Sequence, residues 1–273
     1  MNPSREWKFR IGFGAGTALL VAVALSVMGA RGFASSPQNQ ASIQSLRAAK
    51  AELQAGLNGW NSDRFAAARD LFIGLVLREK NPNAFLFYYV ALADYRLATF
   101  HLGAGNSADA DRFVAEGEQY LVKAMEADPN FGESFSLYGY VLGLEVALHQ
   151  ERAMEVGLSS MTNMDQGIAK APDNPRVYYL KGTYLTYVPE EYGGGLERAI
   201  PLLEKAVSLF EKESIQDEIR PSWGREEALA FLGLTYKKKG DMAKAREFLR
   251  KALDVNPEFG LAKSELAALG KGQ

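Results

Sequence analysis

The sequence predicts an all-α protein: a right-handed α–α superhelix of about five helix pairs plus a C-terminal capping helix. Three observations predict it. First, the stretch EEALAFLGLTYKKKGDMAKAREFLRKALDVNP reads as two helices joined by Gly240-Asp241 and ended by Pro257. Second, its register recurs upstream. A small residue is expected ten positions after a closing proline, and Pro129 is followed by Gly139 and Pro172 by Gly182. Third, 273 residues that are 47% hydrophobic and 23% charged are too apolar for a disordered chain and too polar for a multi-span membrane protein.

The elements follow in order. Residues 1–10 carry Arg5, Lys8 and Arg10 against one acid, Glu6, and residues 11–30 carry no charge. Gly32 and Ala34 then offer small residues for a cut after Ala34. A basic start, an apolar middle and a small-residue cut site describe an export signal over residues 1–34. The same apolar stretch is long enough to span a bilayer as an uncleaved anchor. Its densest part, Ala18–Met28, is shorter, and Gly12, Gly14 and Gly16 weaken a helix there. Either way the basic end stays inside and the rest lies outside the cytoplasm, periplasmic or anchored in the inner membrane. Residues 35–44 are small and polar and read as a flexible tether.

Residues 45–211 hold four degenerate helix pairs. Gly56, Phe65, Ala68, Phe72 and Leu75 mark the first. Tyr88, Ala91 and Tyr95, then Gly117, Leu121 and Ala124, mark the second, with Leu92 where a small residue is expected. Gly139 with Ser160, Met164 and Gly167 marks the third, and Gly182 with Ala199, Leu203 and Ala206 the fourth. The small residues let paired helices approach, and the large ones fill the seam between pairs. The central pairs are longer than the end pairs, which implies a deeper wall or pocket in the middle. His101–Asp111 reads as a loop, Val141–Val156 as continued helix. Residues 212–224 (KESIQDEIRPSWG) form a spacer, and 225–273 the fifth, well-matched pair with a capping helix over Phe259–Leu269.

In the fifth pair, Leu229, Leu232, Gly233 and Tyr236, then Ala245 and Leu249, then Pro257 follow the pattern W-x2-L-G-x2-Y, A-x3-F, P, with Leu at the Trp and Phe positions. Over about residues 45–270 the chain therefore resembles the tetratricopeptide repeat family. An export signal joined to longer helix pairs is also similar to the periplasmic repeat proteins that accompany TRAP-type transporters. The family resemblance implies that the first helix of each pair lines a concave surface holding a protein or peptide. Extending the register gives an inner-face set of Tyr89, Arg96, Glu133, Ser136, Tyr140, Arg176, Tyr179, Thr183 and Thr186. Tyr and Arg dominate binding hot spots, and Arg holds carboxylates bidentately. The alternative is that some of these tyrosines simply pack between helices.

Composition excludes other chemistry. The formal charge is −2; without residues 1–34, 27 basic residues face 32 acidic ones, near −5, which disfavours nucleic acid. There is no Cys and there are two His, so thiolate and His-rich metal sites are out, and no cofactor is implied. Gly193-Gly194-Gly195 precedes a helix, as in some anion sites, but lacks a phosphate-loop Lys-Ser/Thr and reads as a flexible turn. Adjacent Glu190 and Glu191 read as solvated, His101 and His149 as surface histidines, and Lys237–Lys239 with Arg246, Arg250 and Lys251 as a solvated basic face or a dock for an acidic tail. The sequence thus points to a non-catalytic interaction adaptor of the cell envelope, with protein or peptide as partner. A small-ligand carrier or transporter accessory is the alternative, and membrane contact is expected only through residues 11–30.

Overall fold

The structure, a computed structural model, describes residues 37–270; the expected signal, residues 1–34, lies outside the described residues. Eleven helices follow one another: α1 (Pro37–Gly59), α2 (Ser62–Arg78), α3 (Ala84–Gly103), α4 (Ser107–Ala127), α5 (Gly132–Leu148), α6 (Ala153–Lys170), α7 (Pro175–Tyr187), α8 (Leu196–Lys212), α9 (Arg225–Lys239), α10 (Met242–Val255) and α11 (Gly260–Gly270). There is no strand among the described residues.

Helix starts are set by polar caps. The side chains of Asn61, Asn83, Asn106, Asn174 and Asp241 each accept a backbone N–H in the first turn of α2, α3, α4, α7 and α10. Each such cap contributes about 1 kcal/mol. Pro175 adds a pre-set φ at the start of α7.

Successive helices pack as pairs, α1 with α2 through α9 with α10, and α3, α5, α7 and α9 stack against one another. The two kinds of helix differ in sequence for that reason. In α3 every residue from Tyr88 to Ala98 is buried, as befits a helix with neighbours all round. By contrast α2 buries only the stripe Phe65, Ala68, Phe72 and Leu75, and α10 only Ala245, Leu249 and Ala252.

The small residues sit where helices press together. A Cβ added at Gly139 would lie 2.5 Å from the Ser160 carbonyl, and one at Gly182 would lie 2.8 Å from Leu203 Cγ. Leu92 is buried in the second pair, and the close approach is provided from the other helix by Gly117, whose Cβ would meet Asp94 Cβ at 3.3 Å.

Three local expectations are corrected. Most of the presumed tether is helical, because α1 starts at Pro37. His101–Asp111 is mostly helix: α3 runs to Gly103 and α4 starts at Ser107, with left-handed Gly105 and capping Asn106 making the turn. Val141–Val156 is not continuous, since His149 leaves the helical conformation (φ −129°, ψ 73°) and its ring bonds Asp111 on α4 at 2.7 Å before a short 3-10 turn leads to α6.

The first and last helices also touch. Asn256 Nδ2 donates to Asn58 Oδ1 (2.8 Å), and Gln54 Nε2 donates to Glu226 Oε1 (2.8 Å). No helix among the described residues is long and apolar enough to cross a membrane.

Candidate functional site

The inner face is crossed by the chain's own residues 213–224. Helix α8 ends where Glu213 turns extended, and α9 begins behind Gly224, at φ 104°. Between them the backbone forms neither helix nor strand. Its carbonyls are held by side chains instead. Tyr89 Oη donates to the Arg220 carbonyl (2.8 Å), and Lys50 Nζ to the carbonyls of Glu218 (2.5 Å) and Arg220 (2.9 Å). At its end Trp223 is buried, donating from Nε1 to Tyr88 Oη (3.1 Å) with Tyr179 edge-on at 5.9 Å. The Arg96 guanidinium lies over the Trp223 ring at 5.2 Å.

Two ion pairs, one buried and one half-buried, organise the floor. Arg96 on α3 pairs bidentately with Glu227 on α9, at 2.7 and 2.8 Å. Arg176 on α7 grips Glu213 through both terminal nitrogens, at 2.6 and 3.0 Å. Its Nε faces Glu133 Oε1 at 3.8 Å, and neither atom has a hydrogen-bond partner. Burial pushes the Glu133 and Glu227 carboxyls up, while Arg176 and Arg96 respectively hold them down. Burial, helped by the Arg176 charge, lowers Lys50 to about 8.

The fold thus gathers Tyr89, Arg96, Glu133, Arg176, Tyr179 and Thr183 on one inner face, all buried. Tyr140 is half-buried and sits edge-on to Tyr95 at 5.3 Å. The open groove expected of them is corrected: Glu213, Glu227 and Trp223 already occupy their donors and faces. Thr186 hydrogen-bonds the Gly182 carbonyl, and the Thr183 and Ser136 hydroxyls have no partner. Two spaces remain. One of about 120 Å³ lies between Lys50, Leu53, Tyr89, Arg96 and Trp223. The other, about 680 Å³, opens at the starts of α5 and α7, with Phe85, Phe131, Arg176 and residues 213–217 among its walls.

A tetratricopeptide repeat family model matches residues 226–259, which is α9, α10 and the closing turn. Residues 226–259 are a tetratricopeptide repeat. The fold of the chain is similar to that of the HusA haemophore from Porphyromonas gingivalis, at 24% identity and TM-score 0.60 over 74% of this chain and 94% of that one. It is also similar to a thermophilic tetratricopeptide repeat protein of Thermus thermophilus, at 16% identity and TM-score 0.53 over 81% and 98%. These identities make the likeness one of fold. No curated protein matches the sequence.

Elsewhere the chain uses its marked residues structurally. The Gly193, Gly194 and Gly195 amides donate to the carbonyls of Glu190, Pro189 and Leu185, which leaves none aimed at an anion. The turn is tight rather than flexible: Gly193 and Gly195 have φ of 88° and 100°, and a Cβ on Gly194 would overlap the Val188 carbonyl. Gly194→Ala is therefore expected to cost about 1–3 kcal/mol in urea unfolding. Glu190 and Glu191 are exposed. Much of the basic face is engaged: Lys237 pairs with Glu265 and Lys239 with Glu197, and Arg246 donates to the Leu269 carbonyl.

Asp94 is buried beside Arg69, which also binds Glu116. Burial raises its carboxyl to about 7 against the pull of Arg69, and burial with Glu145 nearby takes Glu118 to about 7 as well. An unfolded Asp loses its proton near 4, whereas folded Asp94 keeps it until about 7. Stability is therefore expected to fall as pH rises from about 4 to about 7, with Asp94→Asn removing part of that slope. Melting curves at about pH 4.5 and 7.5 check it; an unchanged slope in the variant would contradict the assignment.

Proposed function

We propose that this protein is a non-catalytic adaptor, exported through residues 1–34, that receives a segment of a partner protein on its inner face in the cell envelope. Tetratricopeptide repeat proteins are generally non-catalytic scaffolds, and this fold suggests a protein–protein interaction adaptor. The observation that carries the reading is the concentration of Tyr88, Tyr89, Arg96, Arg176, Tyr179 and Trp223 on one face of the array. Packing between helices elsewhere draws on Leu, Ala, Gly and Phe, with few Arg or Trp. Tyr, Trp and Arg offer flat area and directed donors, the composition of recognition surfaces.

The test is crosslinking of the full chain in its native envelope, followed by mass spectrometry. One recurrent partner, with crosslinks at the rim of the inner face near Lys50, Lys170 and Arg220, is the expected result. Partners crosslinked only to the outer helices α2, α4, α6 and α8 would remove the reading. One structural neighbour is described as a haemophore, so haem is the small molecule to titrate alongside. A haem spectrum that shifts on binding and is lost on substitution at the larger cavity would replace the adaptor by the ligand-carrier alternative.

A further inference from the structure

Residues 213–220 lie on the inner face as a bound peptide would. The run has no regular structure over 213–217 and turns at 217–220, its Glu218 and Arg220 carbonyls are taken by wall side chains, and an acidic side chain sits in a guanidinium fork. It differs from the stretch that follows. Pro221, Trp223 and Gly224 are buried and fix the entry to α9. Ser214, Gln216, Asp217, Glu218 and Arg220 are exposed. The hold on this run combines ion pairs and hydrogen bonds with one apolar contact, half-buried Ile219 against the core. The Arg47–Glu218 pair is solvent-exposed, at 2.6 Å, and exposed pairs contribute little. Lys50 is lowered by burial and so gains less from its charge than a free lysine. Arg176 keeps Glu133 as a second carboxylate whether or not Glu213 is present. Residues 213–217 also wall the 680 Å³ space, so their departure enlarges the opening above Arg176.

We infer that residues 213–220 are a displaceable strap over the protein's own partner site, and that the segment admitted in their place is a peptide carrying an acidic side chain for Arg176. The inference rests on the inner-face reading above and adds the class of partner and the gate. The strap supplies its own template: an acid at the Arg176 end, backbone carbonyls at the Lys50 and Tyr89 end. Being tethered, it competes at a high effective concentration, so an external peptide meets a closed site until the strap is weakened.

The probe is a fluorescent synthetic peptide of residues 211–224, EKESIQDEIRPSWG, titrated by polarisation into the full chain. The native chain is expected to bind it weakly. Glu213→Gln/Glu218→Gln loosens the strap and leaves the wall intact, and is expected to bind the peptide at least about tenfold more tightly. Adding Tyr89→Phe, which removes the donor to the Arg220 carbonyl, is expected to weaken that binding severalfold. Circular dichroism confirms the fold of each variant. Equal binding by native and double-variant chains, or binding indifferent to Tyr89→Phe, would overturn the inference. Should the double variant lose its fold, hydrogen exchange on the native chain decides. Amides of 214–220 exchanging at least about tenfold faster than those of α8 and α9 support the strap, and equal protection overturns it. Peptide entry combined with envelope crosslinks only on outer helices would keep the strap and remove the inner-face partner.

Discussion

Arg96→Ala is expected to destabilise the fold by about 3–5 kcal/mol, read as a lowered urea midpoint. Both partners of the Arg96–Glu227 pair are buried, at 4% and 1% exposure, so water screens neither. Removing the guanidinium leaves the Glu227 carboxylate in the interior beside Glu226, with Tyr179 Oη, 3.5 Å away, as a long and weak donor. It also strips the cation from over the Tyr95 and Trp223 rings, at 4.8 and 5.2 Å. The pH dependence gives a second signature. Glu227 is already pushed above the ordinary carboxylate range by burial, with Arg96 pulling it back. Without Arg96 it rises further and holds its proton to higher pH than the unfolded chain does. Stability then falls as pH rises through that wider window, so the deficit of the variant is expected to be smaller at about pH 5 than at about pH 8. Replacing both partners by apolar residues, Arg96→Met with Glu227→Leu, is expected to recover most of the loss, because neither charge is then stranded. A double variant no better than Arg96→Ala would show that stacking on Trp223, not the ion pair, is what Arg96 provides.

The repeat was legible because it is written in spacing. Gly139, Gly182 and Gly233 mark helix approaches that tolerate little beyond a hydrogen, and each lies on a first helix of its pair. The inner-face positions were legible for the same reason: the register that places Gly182 also places Arg176 and Tyr179 on α7. What covers them was not. Glu213 meets Arg176, Arg220 meets Tyr89 across 131 residues, and Trp223 meets Tyr88 across 135, pairings that no local period encodes. A signal was present all the same. A Trp two residues after Pro221, with Ile215 and Ile219 upstream, is a poor choice for a solvated linker and a good one for an anchor. Lys50 was hidden because its partners, the Glu218 and Arg220 carbonyls, lie 168 and 170 residues away. The long second pair was misread at His101–Asp111 because Gly, Asn, Ser and Asp mark both a long loop and a tight turn with a helix cap.

The closure of the array yields the second large effect. Phe259 is 1% exposed at the start of α11, next to Gly260, whose added Cβ would lie 2.5 Å from the Asn58 carbonyl near the end of α1. A capping helix is ordinarily the partner of the last repeat alone. Here α11 touches α10 and α1, so truncating Phe259 removes apolar filling shared by both ends of the array. Phe259→Ala is expected to cost about 3–5 kcal/mol. Hydrogen exchange should quicken at α1 as well as at α10, although α1 lies at the far end of the sequence from the substitution. Quickening confined to α10 and α11 would mean that the contact with α1 is incidental and the array behaves as an open solenoid. The distinction bears on the inner face. An open array could admit a partner by flexing apart, whereas one whose ends are pinned through Asn58, Asn256 and Gln54 keeps its inner dimensions. In the pinned array the segment over Arg176 and Tyr89 must itself move before anything else can take its place.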